Sequence, residues 1–241
     1  MHITEQPSNL PNIQPVKEAM SIFIPNIHPN LPNRNGFVYA LIGAPGSGKS
    51  SLLLSLFRSS KYYRGKFDNI YFISPESSYL SVKDHPFENH DKKYHELTDG
   101  VLMDIYEEVA LFKKHSIENK LPVENSLLII DDFANDLKDK QIVTLLKKII
   151  VKSRHIGLST IFTLQSYNLF ELTLRKMLTN VTIFQFRNRK EVELVSEELL
   201  RMKKDHAIEL YNYIFDRAYN HLDIDIVSNI FYKNFNQLQI K

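Results

Sequence analysis

One short stretch of the sequence holds residues that could cradle a triphosphate. GAPGSGKS, residues 43–50, matches the pattern G-x-x-x-x-G-K-[ST] in full and holds three of the chain's seven glycines. Glycines let the backbone wrap closely around phosphate groups, with its N–H groups pointing inward. Lys49 would reach the β- and γ-phosphates of ATP, and the Ser50 hydroxyl would bind Mg²⁺. The expected nucleotide-binding residues are Gly43, Ala44, Pro45, Gly46, Ser47, Gly48, Lys49, Ser50 and Ser51.

Two acids follow an apolar run further along the chain, in SLLIIDD at 126–132. Asp131 would stand at the tip of a buried strand and hold Mg²⁺ through water. Asp132 would orient or deprotonate the water that attacks the γ-phosphate. Related ATPases often carry Glu at this second position, so the shorter Asp132 requires a closer water or a shifted backbone. The alternative for a double acid is an ordinary strand-end turn.

A polar strand end supplies the third element of the candidate site. STIFTLQS, residues 159–166, has the pattern of a buried strand that ends in Gln165. Such a strand, inserted between the phosphate-loop strand and the Asp131 strand, is typical of ATPases that use a separate catalytic acid. We expect Gln165 to sense the γ-phosphate; the alternative is a cap for the following helix.

An arginine before that strand could act on a neighbouring subunit. Arg154 lies in KSRHIG, residues 152–157, at the end of a predicted helix. An arginine finger of this kind would stabilise charge on the transferred phosphoryl group. The alternative is an arginine that interacts with the helix dipole. Arg175 and Arg187 are the competing candidates.

The surrounding elements alternate between strands and helices. The predicted strands are nearly continuous apolar runs, as in strands buried on both faces, at 37–43, 69–74, 126–131, 158–165 and 181–186. The predicted helices cover 49–58, about 100–118, about 137–152, 171–178, 190–204 and 205–217. This alternation predicts an α/β fold, with a mostly parallel sheet sandwiched by helices. Histidine-containing residues 84–95 are predicted to form a flexible loop.

Composition changes near both ends suggest three segments. Residues 1–36 hold six of the ten prolines and are predicted to form an arm, in which SIFIP (21–25) anchors on a partner or on the chain's own core. Residues 37–204 are predicted to form the ATPase core. Residues 205–241 are predicted to form a C-terminal helix and a small hairpin at the sheet edge.

The amino-acid composition limits the cellular compartments and partners that we expect for this chain. Cysteine is absent, which excludes disulfides and thiolate metal sites and fits a reducing compartment. No apolar run approaches the ~18 residues of a membrane span, and the first residues lack a signal-peptide pattern. The net charge of +2 is small, so contact with nucleic acid would require local basic patches.

Taken together, the motifs resemble the FtsK–HerA superfamily of P-loop ATPases. Within it they look most like the poxvirus-type genome-packaging ATPases of large DNA viruses and virophages. The resemblance covers roughly residues 37–190. It rests on FVYALIGAPGSGKSSLL, NIYFISP, SLLIIDDF, SRHIGLSTIFTLQS and LRKMLTNVTIFQF.

The resemblance implies a P-loop NTPase of the RecA type that hydrolyses Mg²⁺-ATP and threads double-stranded DNA into a preformed capsid. It implies a homo-oligomeric ring, pentameric or hexameric, with a partner at the capsid vertex or a membrane-associated capsid protein. It also implies a cytoplasmic location, in the viral factory of an infected host cell or associated with the virion.

Three clusters of basic residues are candidates for DNA contact, at 61–66, 138–154 and 201–204, with a solvated surface as the alternative for each. Rival functions are another FtsK–HerA-type translocase or helicase, a P-loop nucleotide kinase, and a nucleotide-gated scaffold without turnover. The Gln165 strand argues against the kinase, and intact Lys49, Ser50, Asp131 and Asp132 argue against the scaffold.

Overall fold

One mostly parallel sheet of nine strands dominates the computed structural model, which describes residues 23–80, 83–133 and 136–240. The strands are β1 (Val38–Ile42), β2 (Asn69–Ile73), β3 (Lys93–Tyr94), β4 (Ser126–Ile130), β5 (Leu158–Leu164), β6 (Asn180–Phe184), β7 (His221–Asp225), β8 (Ile230–Lys233) and β9 (Asn236–Gln237). Their order across the sheet is β3-β2-β4-β5-β1-β6-β7-β8-β9. The first six in that order run parallel, and the last three are added antiparallel.

Helices cover both faces of this sheet. They are α1 (Lys49–Arg58), α2 (Glu76–Leu80), α3 (Asp99–Glu118), α4 (Lys140–Ile156), α5 (Leu172–Arg175), α6 (Arg189–Val195) and α7 (Lys204–Ile214). Sequence signals set the ends of α4. The Asp139 carboxylate accepts hydrogen bonds from the N–H groups of Gln141 and Ile142, and Gly157 ends the helix with a φ of 74°.

Each face of the sheet has its own apolar core. The larger core contains the inner faces of α3, α4 and α7. The other core lies under α1 and is rich in aromatic rings, with Tyr63 fully buried against Phe37, Phe57 and Phe67. Strands buried between two such layers lose nearly all solvent contact, which explains their continuous apolar pattern.

The described part of the N-terminal arm packs onto the α1 face. Ile24 and Leu31 are each only 3% exposed, and the Tyr63 hydroxyl donates to the Pro32 carbonyl oxygen at 2.9 Å. Residues 1–22 lie outside the described residues, so the predicted anchor SIFIP is described only from position 23. The division at residues 36 and 204 stays a prediction, and β7–β9 belong to the same sheet as the core.

The predicted strands, the sandwich and the edge hairpin are confirmed. The position of β5 between β1 and β4 is also confirmed. Residues 84–92 form irregular turns, as predicted, but they are not a loose surface loop, because His85 and Phe87 are buried against Phe72 and the segment ends in β3. The C-terminal helices also differ, since α6 stops at Val195 and continues as a π-helical turn over Ser196–Leu200.

Candidate nucleotide-binding site

Three neighbouring strands bring the expected site residues to one edge of the sheet. β5 lies between β1 and β4, and all three run parallel. Gly43 follows β1, Asp131 follows β4 and Gln165 follows β5. The carboxyl ends of parallel strands meet at one edge, which is where open α/β sheets bind ligands. We call it the carboxyl edge.

The phosphate loop, residues 43–48, leads from β1 into α1. Gly46 and Gly48 have positive φ angles of 76° and 110°. A methyl group on Gly43 would lie 2.6 Å from Ser47 Oγ and 2.7 Å from Phe184 Cβ, so a larger residue would overlap them. Gly48 offers no side chain to cap α1, which leaves the first N–H groups of the helix to an outside acceptor. A phosphate group is such an acceptor.

Lys49 points back into the loop. Its Nζ donates to the carbonyl oxygens of Gly43 at 2.5 Å and Ala44 at 3.1 Å. Burial lowers the pKa of the Lys49 ammonium, and the negative charges of Asp132 and Asp131 act in the opposite direction. The cation is therefore held between the phosphate loop and the two acids. Ser50 and Ser51 lie exposed in the first turn of α1.

The two acids are tied to β2 and β5 by hydroxyl groups. Thr163 Oγ1 donates to Asp131 Oδ1 at 2.5 Å and accepts from the Asp132 backbone N–H at 3.0 Å. Ser74 Oγ donates to Asp131 Oδ2 at 3.3 Å. One threonine hydroxyl therefore fixes both members of the acid pair.

Asp132 has a different setting from Asp131. Its side chain is exposed, it accepts from Gln165 Nε2 at 2.9 Å, and it accepts from Ser78 Oγ at 3.0 Å. Its φ is 62°, a left-handed conformation that is uncommon outside glycine but tolerated by aspartate. Such strain clusters at functional sites. In this conformation the Asp132 carboxylate meets the Gln165 amide and the Ser78 hydroxyl.

Burial gives Asp131 its electrostatic character. The carboxyl is only 8% exposed, and burial raises its pKa above the ordinary value. The Asp132 charge raises the pKa further, whereas the hydrogen bonds from Thr163 and Ser74 and the charge of Lys49 lower it. A buried carboxylate that is only partly compensated in this way gains from a nearby cation.

The donor set fits Mg²⁺. This ion prefers oxygen ligands and takes one or two carboxylates together with substrate phosphates and water. Asp131 offers the carboxylate, and Ser50 offers a hydroxyl in the first turn of α1. Among the described residues, no group of three or more histidine, aspartate or glutamate side chains offers an alternative metal cage.

The candidate arginines are dispersed. Arg154 is exposed in the last turn of α4, and its backbone packs against Gly36, which precedes β1. It therefore lies at the edge of the sheet where the parallel strands begin, opposite the carboxyl edge. The seven residues of β5, about 20 Å of strand, separate that edge from Gln165. Arg175 is 10% exposed and pairs with Glu198 at 3.4 Å. Arg187 is exposed in the connection after β6, at the carboxyl edge. Arg154 therefore does not join its own subunit's site.

The opposite side of the phosphate loop is aromatic. Phe184, at the end of β6, packs beneath Gly43 and Gly48 and against the His221 ring, with ring centroids 5.5 Å apart. Tyr219 precedes β7 and contacts the position where a Gly48 side chain would stand. We call Phe184, Tyr219 and His221 the aromatic flank. Asp131, Asp132, Thr163 and Gln165 form the acidic flank.

Sequence reasoning missed Ser74, Ser78 and Thr163. For two of them, the local sequence contained a pattern that could have identified them as site residues. Ser74 is the polar end of NIYFIS, and Thr163 lies two residues before Gln165, hence on the same side of a strand. Ser78 had no such pattern, because α2 was not predicted.

A family model described as Poxvirus A32 protein matches residues 29–239. The chain belongs to this family. Among curated proteins, no match was found. Within the described ranges, every helix is too short or too polar to cross a membrane.

Solved structures confirm the fold of this A32-family chain. B204, the DNA-packaging ATPase from Sulfolobus turreted icosahedral virus, has a TM-score of 0.58 at 18% identity and covers 86% of this chain and 98% of its own. The packaging NTPase B204 of Sulfolobus turreted icosahedral virus 2, in complex with ATP-gammaS, gives 0.56 at 18% identity, covering 86% and 99%. EssC (ATPases 2 and 3) from Geobacillus thermodenitrificans gives 0.51 at 16% identity, covering 76% and 42%.

Proposed function

We propose that this chain is an ATPase motor that drives double-stranded viral DNA into a preformed capsid. The observation that carries the proposal is the convergence of Lys49, Asp131, Asp132 and Gln165 at one edge of the sheet. Membership of the A32 family and the likeness to a packaging ATPase support the same reading.

In this proposal the chain divides the chemistry among a few residues. The backbone N–H groups of the phosphate loop and Lys49 bind the β- and γ-phosphates. Ser50 and, through water, Asp131 would hold Mg²⁺, which would neutralise charge on those phosphates. Asp132 takes a proton from the attacking water, and the hydrogen bond from Gln165 fixes the direction in which Asp132 points.

Gln165 is also placed to report on the nucleotide. Its side chain is exposed just beyond β5, and within the described residues its amide donates a hydrogen bond to Asp132. A γ-phosphate beside Asp132 would accept the second N–H of the same amide group while the first stays on Asp132. Loss of the γ-phosphate after hydrolysis would then remove one of the two partners that hold Gln165 and the segment that follows β5.

The proposed partners follow from this function. They are double-stranded DNA, further copies of the chain in a pentameric or hexameric ring, and a capsid-vertex or membrane-associated capsid protein. The proposed location is the cytoplasm, at the viral factory or on the virion. For DNA contact, Lys61 and Arg64 are exposed, whereas Lys147 and Lys204 are each paired with a glutamate.

The likeness to EssC keeps another FtsK–HerA-type DNA translocase or helicase as the second candidate. Both candidates move DNA, so DNA-dependent turnover supports both, and binding to empty capsids separates them.

The first experiment measures ATP hydrolysis with and without duplex DNA. We expect DNA to stimulate turnover, and Lys49→Ala to abolish it because Lys49 supplies the positive charge of the phosphate loop. Lys61→Ala, which changes an exposed lysine away from the loop, should keep the turnover measured without DNA.

The second experiment measures DNA affinity. The affinity for two unrelated duplexes should be equal and should fall at least about tenfold between roughly 50 and 200 mM salt, because the basic residues can contact only the phosphates of the DNA. Turnover in folded Lys49→Ala, or a strong sequence preference, would contradict the proposal.

A ring also predicts an arginine that acts in trans. Arg154 stays the first hypothesis, and Arg187 is the competitor that lies at the carboxyl edge. Subunits with the responsible arginine changed to Ala should bind ATP but hydrolyse it about 10³-fold more slowly. Mixing them with Lys49→Ala subunits should restore part of the activity, because an intact arginine then meets an intact phosphate loop. If only the Arg187→Ala mixture recovers, the role belongs to Arg187. If neither mixture recovers in confirmed rings, both assignments are wrong.

A further inference from the structure

Tyr219 stands out because a large aromatic ring is left in solvent beside the phosphate loop. Its side chain is 72% exposed, although the neighbouring aromatic residues Phe184 and His221 are buried. Its φ is 65°, which is unfavourable for a bulky residue. Neither the fold's core nor the proposed hydrolysis explains why a tyrosine is held there.

The ring lies against the floor of the phosphate loop. A methyl group on Gly48 would be 3.3 Å from Tyr219 Cδ1 and 3.3 Å from Phe184 Cε1. Phe184 supports the loop from below, at the end of β6. Tyr219, two residues before β7, therefore adds an exposed ring to the aromatic surface that Phe184 forms beside Gly48.

Side-chain hydrogen bonds fix the connection that carries Tyr219, between α7 and β7. The Asn220 amide donates to the Ile214 carbonyl oxygen at 3.1 Å and to Asp216 Oδ1 at 2.7 Å. The same Asn220 accepts from Asn234 Nδ2 at 2.8 Å. Asp216 is held in turn by Lys233 at 2.7 Å. These hydrogen bonds hold the turn that carries the exposed ring, so less conformational entropy is lost when a ligand packs on the ring.

The acidic flank determines which end of ATP faces Tyr219. Asp131 and Gln165 follow β4 and β5, on one side of β1, so the γ-phosphate lies on that side. β6 and β7 lie on the other side of β1. A nucleotide whose phosphates cross the tip of β1 therefore directs its nucleoside toward the aromatic flank.

We propose that Tyr219 is the platform on which the nucleobase of the bound nucleotide stacks. The proposal rests on the proposed ATP site and adds its base-binding part. An aromatic face attracts any nucleobase without reading its hydrogen-bonding edge. The amide of Asn220, the nearest such group along the chain, already bonds to Ile214, Asp216 and Asn234. The platform therefore does not distinguish one base edge from another, and ATP and GTP bind with comparable affinity.

The direct test uses the absence of tryptophan from the chain. Tyr219→Trp introduces a single fluorescent indole at the platform, which ATP should quench on stacking, whereas inorganic tripolyphosphate should not. Tyr213→Trp is the matched control, since Tyr213 is also exposed, at 60%, but belongs to α7. If the indole of the Tyr219→Trp variant shows no ATP-dependent change, or an equal change with tripolyphosphate, the proposal is overturned. Quenching that follows protein concentration alone would instead assign Tyr219 to a contact between copies of the chain.

Affinity provides the second readout. Tyr219→Ala should weaken ATP binding by about 5- to 150-fold, the range for loss of one base–aromatic stack. Tripolyphosphate affinity should not change, and Tyr219→Phe should bind ATP like the unaltered chain. If Tyr219→Ala weakens both ligands equally, the residue only supports the phosphate loop, and the proposal fails.

If the chain does not bind ATP at the phosphate loop at all, the binding measurements give a different result. In that case the unaltered chain would bind neither ATP nor tripolyphosphate, and Lys49→Ala would change nothing. Binding that depends on Lys49 but not on Tyr219 would leave the ATP site intact and remove only the platform.

Discussion

The two flanks of the phosphate loop use different physics. The acidic flank is a network of short hydrogen bonds in which one hydroxyl, Thr163 Oγ1, holds both acids. The aromatic flank acts through the packing of Phe184 and His221 and the exposed ring of Tyr219, and the His221 Nδ1 lies 2.8 Å from the buried Asp223 carboxylate. In the two proposals above, the acidic flank reacts with the end of a triphosphate and the aromatic flank receives the nucleobase. The phosphate loop lies between the two flanks, so its backbone must fit against both of them.

The largest effect on stability is expected where the two flanks meet. Gly43→Ala would place a methyl group 2.6 Å from Ser47 Oγ and 2.7 Å from Phe184 Cβ, which should cost about 1–3 kcal/mol of stability and weaken ATP binding tenfold or more. Gly46→Ala is the matched control, because no atom of the described residues lies within 4 Å of its added methyl group. Its left-handed φ should cost only about 1 kcal/mol. Thermal unfolding and nucleotide titration of both variants measure the difference. Equal losses would show that backbone strain, rather than the Phe184 contact, limits the loop.

A smaller effect should separate the flanks. Thr163→Val removes the hydroxyl that holds Asp131 and Asp132, and should slow hydrolysis about tenfold while leaving stacking on Tyr219 unchanged. Thr160→Val is the control on the same strand, since the buried Thr160 hydroxyl has no hydrogen-bond partner within the described part of the chain. Single-turnover hydrolysis with a nucleotide-binding assay distinguishes them. Normal hydrolysis in Thr163→Val would show that the acids need no support from β5.

The sequence predicted Asp131, Asp132 and Gln165 of the acidic flank, but neither Thr163 nor any residue of the aromatic flank. Lys49, Asp131 and Gln165 each stand directly after an apolar strand or within a glycine pattern, so local signals locate them. Tyr219 lies between a helix and a hairpin with no recognisable motif, and antiparallel addition of β7 to β6 brings it to the site. Pairing across the sheet is a long-range property that local patterns do not encode.

The same limit explains the smaller differences. α2 has five residues, and its contribution, Ser78, depends on a hydrogen bond to Asp132 across 54 positions. Residues 84–95 are polar and rich in histidine, which favoured a loop, but His85 and Phe87 find a buried aromatic environment against Phe72. Tertiary packing overrides local composition in both places.

The division of labour between the two acids is the central claim, and Asp132→Asn tests it most directly. The amide keeps the oxygen that accepts from Gln165 but cannot take a proton from water. Mg²⁺-ATP affinity and single-turnover hydrolysis should be measured on the same preparation. We expect affinity to stay within about threefold of the unaltered chain and hydrolysis to fall by about 10²–10⁴-fold. A fall in affinity that matches the fall in hydrolysis would make Asp132 a metal ligand, and undiminished hydrolysis would remove it from the chemistry.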